Sequence, residues 1–113
     1  MSQVVAKSKA FVHGDSPVDL SSAAHRSLEI IYFDDNAGIV DFTMYTPTYR
    51  RNIRVVKIAN GGTTFGTAGS TLRKSGAEKI NGANADFPLP GSTAAAPAEW
   101  DLVWDGSQWI AVG

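Results

Sequence analysis

Cysteine is absent from the 113-residue sequence, which removes disulfide frames and Cys-based zinc sites at once. Charge of either sign is scarce. Ten Lys and Arg against 11 Asp and Glu leave a formal net charge of −1. A polyphosphate partner requires a clustered basic excess, so no nucleic acid is expected as a partner. No apolar run approaches the ~20 residues of a membrane-spanning helix, and no membrane partner is expected. Met1 to Ala10 lacks the basic-then-apolar layout of a signal peptide. The only histidines are His13 and His25, no Gly-x-Ser-x-Gly elbow is present, and the Gly-x4-Gly-Lys-Ser/Thr phosphate loop is missing. These absences leave no visible catalytic set and no cofactor-binding motif. The expectation is a protein that is not an enzyme, with no catalytic residue, no metal ligand and no cofactor.

What is there is β-strand chemistry. Hydrophobic residues make up 43% and glycine occurs 11 times, enough turns to punctuate many short strands. Residues 1–27 read as an N-terminal arm. Val4, Ala6, Ser8, Ala10 and Val12 fall on one side of an extended chain and Val5, Lys7, Lys9 and Phe11 on the other. That alternation suits an edge strand or a surface-lying arm. Asp19 to Arg26 reads equally as one short helical turn or as loop. Residues 28–113 read as the folded domain. Leu28 to Phe33 and Ile39 to Tyr45, separated by Asp34-Asp35-Asn36-Ala37-Gly38, predict a hairpin. Ile53 to Ala59 predicts a strand closed by Asn60-Gly61-Gly62, and Lys79-Ile80 a brief one closed by Asn81-Gly82. Phe87 to Pro90 is extended, and Gly91 to Pro97 is low-complexity loop. Trp100 to Trp104 and Gln108 to Val112 flank Asp105-Gly106-Ser107, the clearest hairpin in the chain. The predicted fold is all-β, an antiparallel β-sandwich of short strands, jelly-roll-like, with an extended arm.

Several groups invite functional readings. Asp34-Asp35-Asn36 resembles a calcium loop in composition, but the spacing of an EF-hand fails, and Asp and Asn capping their own turn accounts for it. Glu99, Asp101 and Asp105 lack the apolar surroundings that a glycosidase acid requires. Trp100, Trp104 and Trp109 could form a sugar-stacking platform or a core. Leu102 between two tryptophans on one strand face fits the core, with Trp104 and Trp109 as a cross-strand pair. Tyr49-Arg50-Arg51 is the main basic cluster. It reads either as solvated loop charge or as a contact for a protein partner, since Tyr and Arg are enriched at interface hot spots.

The order of these elements resembles a bacteriophage virion module found in tail fibres, tailspikes and stand-alone capsid decorations. The matching pieces are Phe42 to Pro47, Ile53-Arg54-Val55-Val56-Lys57-Ile58, Asn60-Gly61-Gly62-Thr63-Thr64, Lys79-Ile80-Asn81-Gly82 and Val103-Trp104-Asp105-Gly106-Ser107-Gln108-Trp109. The resemblance covers about two thirds of the chain, and two features depart from it. Gly91 to Pro97 lengthens the connection before the last hairpin, and residues 1–27 have no counterpart. The resemblance implies a virion structural protein, made in the host cytoplasm and carried on the outer surface of the particle. It implies a homotrimer whose partners are the major capsid protein or a tail component. The short length points to a capsid decoration, cement or knob protein. The alternative is a tail-fibre, tailspike or carbohydrate-recognition module for host attachment. Val4, Ala6 and Phe11 of the arm, with Tyr49, Arg50 and Arg51, are the expected partner-binding residues.

Overall fold

The computed structural model describes residues 7–59 and 64–113. Among the described residues, ten strands form two sheets packed into an all-β sandwich. They are β1 (Ser8–Val12), β2 (Val18–Asp19), β3 (Ile30–Asp34), β4 (Phe42–Thr43), β5 (Arg51–Lys57), β6 (Thr71–Arg73), β7 (Lys79–Ile80), β8 (Phe87–Pro88), β9 (Ala98–Trp104) and β10 (Gln108–Val112). The six-stranded sheet runs β1-β3-β5-β9-β10-β7 and the four-stranded sheet β2-β4-β6-β8.

The expected antiparallel arrangement is corrected here, because the sheets are mixed. β1, β3 and β5 run parallel, with Phe11 opposite Phe33 and Phe33 opposite Lys57. β2, β4 and β6 also run parallel, with Val18 opposite Phe42 and Phe42 opposite Leu72. The chain therefore crosses between the sheets at each step and lays down stacked two-strand coils. The spacing is roughly two dozen residues, within the range of stacked repeats. The hairpin expected over residues 28–45 does not form. β3 lies in one sheet and β4 in the other, and Asp34 to Ile39 turns the corner between them. The reason is the burial of both runs. A hairpin would place them in one sheet, whereas the corner aims Phe33 and Phe42 at each other across the core, ring centroids 5.7 Å apart.

The second half closes the stack. β9 runs antiparallel to β5, and β10 returns antiparallel to β9 through the expected turn. Asp105 Oδ1 accepts from the N–H groups of Ser107 and Gln108 at 2.8 and 2.9 Å, and Gly106 supplies the positive φ of 105°. The Asn81-Gly82 turn forms as expected, with φ of 50° and 79°. Pro88 sits on β8, an edge strand, where its missing N–H leaves no gap in a ladder.

Residues 8–20, read from sequence as part of an arm, supply strands to both sheets and put Phe11, Val18 and Leu20 into the core. The edge-strand character expected of this segment is present, since β1 and β2 each end their sheet. Lys9 stands in the inward column of Ile31, Val55 and Trp100. Its ammonium lies over the Phe11 ring, 5.3 Å from the centroid, and the side chain is exposed. An inward charge on an edge strand discourages indiscriminate strand addition.

Candidate functional site

The tryptophans belong to the core. Trp100, Trp104 and Trp109 are 2%, 4% and 0% exposed, so no indole platform faces solvent. Trp104 and Trp109 form the expected cross-strand pair, centroids 5.7 Å apart. Trp109 Nε1 donates to the Tyr45 carbonyl at 2.8 Å, which satisfies its polar tip and fixes the chain just after β4.

The carboxylates have structural partners. Asp34 Oδ1 accepts from the Asn36 N–H at 2.9 Å, the turn cap expected of that loop. No group of three or more metal-binding side chains occurs among the described residues. Asp101 faces outward and pairs with Arg54 at 3.5 Å. Asp105 caps its hairpin, and the Ser107 and Gln108 N–H groups hold its carboxyl below the ordinary 3.8. Asp35, by contrast, is buried at the corner after β3. Its Oδ1 lies 3.8 Å from Lys57 Nζ, and both side chains are 0% exposed. Lys57 Nζ also donates to the carbonyls of Ser92 and Ala94 at 2.7 and 2.6 Å. This pair ties three distant segments together, the corner after β3, the end of β5 and the loop before β9.

The basic cluster divides. Arg51 turns inward along β5, and its Nη2 donates to the Leu28 carbonyl at 2.8 Å and to that of His25 at 3.4 Å. Its Nε is buried without a partner. Arg50 is exposed, and so is Tyr49, at 67%. Tyr49 stands with Tyr45 at a cleft of about 180 Å³ between the loop after β4 and the turn after β2. Burial pushes the Tyr45 hydroxyl above its ordinary 10.0, and Arg51 opposes that shift. Of the other expected partner residues, Val4 and Ala6 lie outside the described residues. Phe11 is 2% exposed and contributes to the core instead of to a surface.

One surface escaped the sequence reading. The outer face of the six-stranded sheet carries Ile30 and Tyr32 from β3, Val56 from β5, Val103 from β9, and Ile110 and Val112 from β10. Strand alternation and the register place them together. Tyr32 is opposite Val56, Val103 opposite Ile110, and Ile30 opposite Arg54, whose other neighbour is Asp101. A sheet face turned to water normally carries polar residues at these positions. Here these apolar side chains are interspersed with polar ones, the Arg54–Asp101 pair, Glu99 and Asn52 near the middle and Ser8, Asp34, Gln108 and Lys79 toward the edges. The signal was present in the unbroken run Ile30-Ile31-Tyr32-Phe33, which is apolar on both faces.

No protein-family model matches the sequence, and no curated protein matches it.

Proposed function

We propose that the chain is a structural component of a phage virion that self-associates and docks on the outside of the particle, as a capsid decoration or cement protein. The observation that carries this reading is the set of apolar side chains left on the outer face of the six-stranded sheet, Ile30, Tyr32, Val56, Val103, Ile110 and Val112. The molecule measures 44 × 38 × 23 Å along its principal axes, and the thin direction of a two-sheet sandwich lies across the sheets. The occupant is a second copy of the chain. Arg54, Asp101 and Glu99 place both signs of charge near the centre of the face, so two such faces can pair Arg54 of one with an acid of the other. Such face-to-face pairing closes as a two-fold dimer, and the homotrimer implied by the resemblance is the competing stoichiometry that the same measurement separates from it. Repeated copies on a particle would then gain avidity from several weak contacts.

Light scattering of the purified chain at increasing concentration tests the self-association. The expected result is an oligomer that Val56→Lys converts to a monomer with an unchanged far-ultraviolet spectrum. A wild-type chain that stays monomeric near 100 µM would overturn it, as that limit is far above the affinity expected of a standard interface. Cosedimentation with purified particles of the encoding phage tests virion membership. A chain left wholly in the supernatant refutes the docking role.

A further inference from the structure

The cleft beside Tyr49 has a chemistry that self-association does not use. Its walls come from two successive coils, the turn after β2 and the loop after β4. Tyr45 and Tyr49 supply two aromatic rings, and Arg26 supplies a cation. Ser21, Thr46 and Thr48 add hydroxyls. The Ser21 hydroxyl donates to Asp19 Oδ1 at 2.6 Å, so it meets a ligand as an acceptor. The turn that carries Arg26 is held by the Arg26 N–H donating to the Ser22 carbonyl at 3.0 Å. It is held again by Arg51, which grips the carbonyls of His25 and Leu28.

The electrostatics are one-sided. Ion pairs among the described residues engage Arg54, Lys57 and Arg73, and none engages Arg26, Arg50 or Arg51. No carboxylate lines the cleft, and Asp19, which accepts from the N–H and hydroxyl of the lining residue Ser21, is already occupied. Burial raises the pKa of the Tyr45 hydroxyl, and Arg51, with a smaller effect from Arg26, favours its ionised form. Arg51 stands behind the cleft wall and does not line it, its Nη2 committed to the His25 and Leu28 carbonyls. The volume of about 180 Å³ is below the roughly 300–1,000 Å³ of sites for drug-sized ligands and suits a single ring.

From these observations we infer that the cleft binds one anionic sugar residue. Its ring lies against Tyr45 and Tyr49, its anionic group lies on Arg26, and its hydroxyls meet Ser21, Thr46 and Thr48. Arginine is the residue suited to a planar carboxylate, which it can hold with two parallel hydrogen bonds. The hydroxyl-rich rim distinguishes a sugar from an apolar carboxylic acid, because hydroxyls both donate and accept. The anion is a ring carboxylate or a phosphate ester, two sources of one charge that the probes below separate. The inference is independent of virion membership, since it concerns the cleft alone.

Amide chemical-shift titration of the full chain tests it. The probes are glucuronate, N-acetylneuraminate, glucose 6-phosphate, uncharged glucose and inorganic phosphate. The expected result is saturable binding of at least one anionic sugar, with shifts confined to residues 21–26 and 45–51. Glucose should bind about tenfold more weakly, the scale of one lost charge-assisted contact. Arg26→Gln and Tyr49→Ala alter exposed side chains, and each should weaken binding about tenfold with the remaining spectrum unchanged. Glucuronate or N-acetylneuraminate binding identifies the carboxylate source, and glucose 6-phosphate alone identifies the ester. Three results would overturn the inference. They are no saturable shift with any anionic sugar, equal binding of glucose, or inorganic phosphate binding as tightly as the sugars.

Discussion

Replacing Lys57 by Met should be among the most destabilising single changes available in this chain. Methionine keeps the length and volume of the lysine stem but removes the ammonium. That ammonium donates to the Ser92 and Ala94 carbonyls at 2.7 and 2.6 Å and neutralises Asp35 at 3.8 Å. Both members of the ion pair are 0% exposed, so water cannot take over. Removing one member of a buried pair costs about 3–5 kcal/mol, mostly because the other charge is left uncompensated. Against a total stability of about 5–15 kcal/mol, that is a large fraction. The corresponding drop in Tm is about 10–20 °C for a domain of this size. Urea unfolding followed by tryptophan fluorescence is the assay, because all three indoles report from the core. Protein concentration should be held fixed, since self-association would shift the midpoint. Asp35→Asn alone removes the charge and keeps the shape. The double variant Asp35→Asn/Lys57→Met should lose less than the two single losses combined, with a coupling above ~1 kcal/mol. A loss below ~1 kcal/mol for Lys57→Met, or additivity within ~0.5 kcal/mol, would refute the account of this pair.

Three further outcomes follow from the same core and its margins. Gly66 packs against Asp35, where a Cβ would collide with the backbone carbonyl and the carboxylate. Gly66→Ala should therefore cost about 1–3 kcal/mol in a urea titration, while Gly14→Ala, with open space around it, serves as the unchanged control. Acrylamide should quench the intrinsic fluorescence weakly in the native state and strongly in urea, and strong native quenching would contradict the burial of Trp100, Trp104 and Trp109. Glu78 titrates below its ordinary 4.5. Burial pushes it up, but the N–H groups of Ser75, Gly76 and Glu78 itself, with the Ser75 hydroxyl, outweigh that push. A carboxylate with a lowered folded pKa stabilises fully above its unfolded value and loses that contribution as pH falls through the folded value. Glu78→Gln should accordingly flatten the stability loss of the wild-type chain below about pH 4.5, as read by thermal melts across pH.

The candidate surfaces were legible in proportion to how local they are. Tyr49 and Arg50 stood out as residue types and are exposed. Arg51, beside them in sequence, turns away, because its acceptors are carbonyls of a turn some two dozen residues earlier that sequence spacing does not reveal. The cleft needs Arg26 and Ser21 from one coil and Tyr45 and Tyr49 from the next, so no contiguous motif announces it. The apolar sheet face is a different case. Each strand alone reads as an ordinary run, and the face exists only once the register sets Tyr32 beside Val56 and Val103 beside Ile110.

The fold divides along the same line. The β9–β10 hairpin is specified by Asp105-Gly106 and by the alternation of Trp100, Leu102 and Trp104, all within one short stretch. Parallel pairing leaves no such mark, since partners such as Phe11 and Phe33 are separated by a full coil. A turn-rich pair of β runs then defaults to a hairpin in any local reading, and the corner between β3 and β4 was missed for that reason. Lys57 is the residue that argues against the default. It follows Ile53 and Val55 at a spacing of two, so the strand period itself points it inward. An inward lysine cannot stay buried without acceptors and an opposite charge. Asp35 lies in the very turn that a hairpin would have left in solvent. The demand of Lys57 for a buried carboxylate and the burial of Asp35 at the corner are thus one requirement, met only when the chain passes from one sheet to the other at that point.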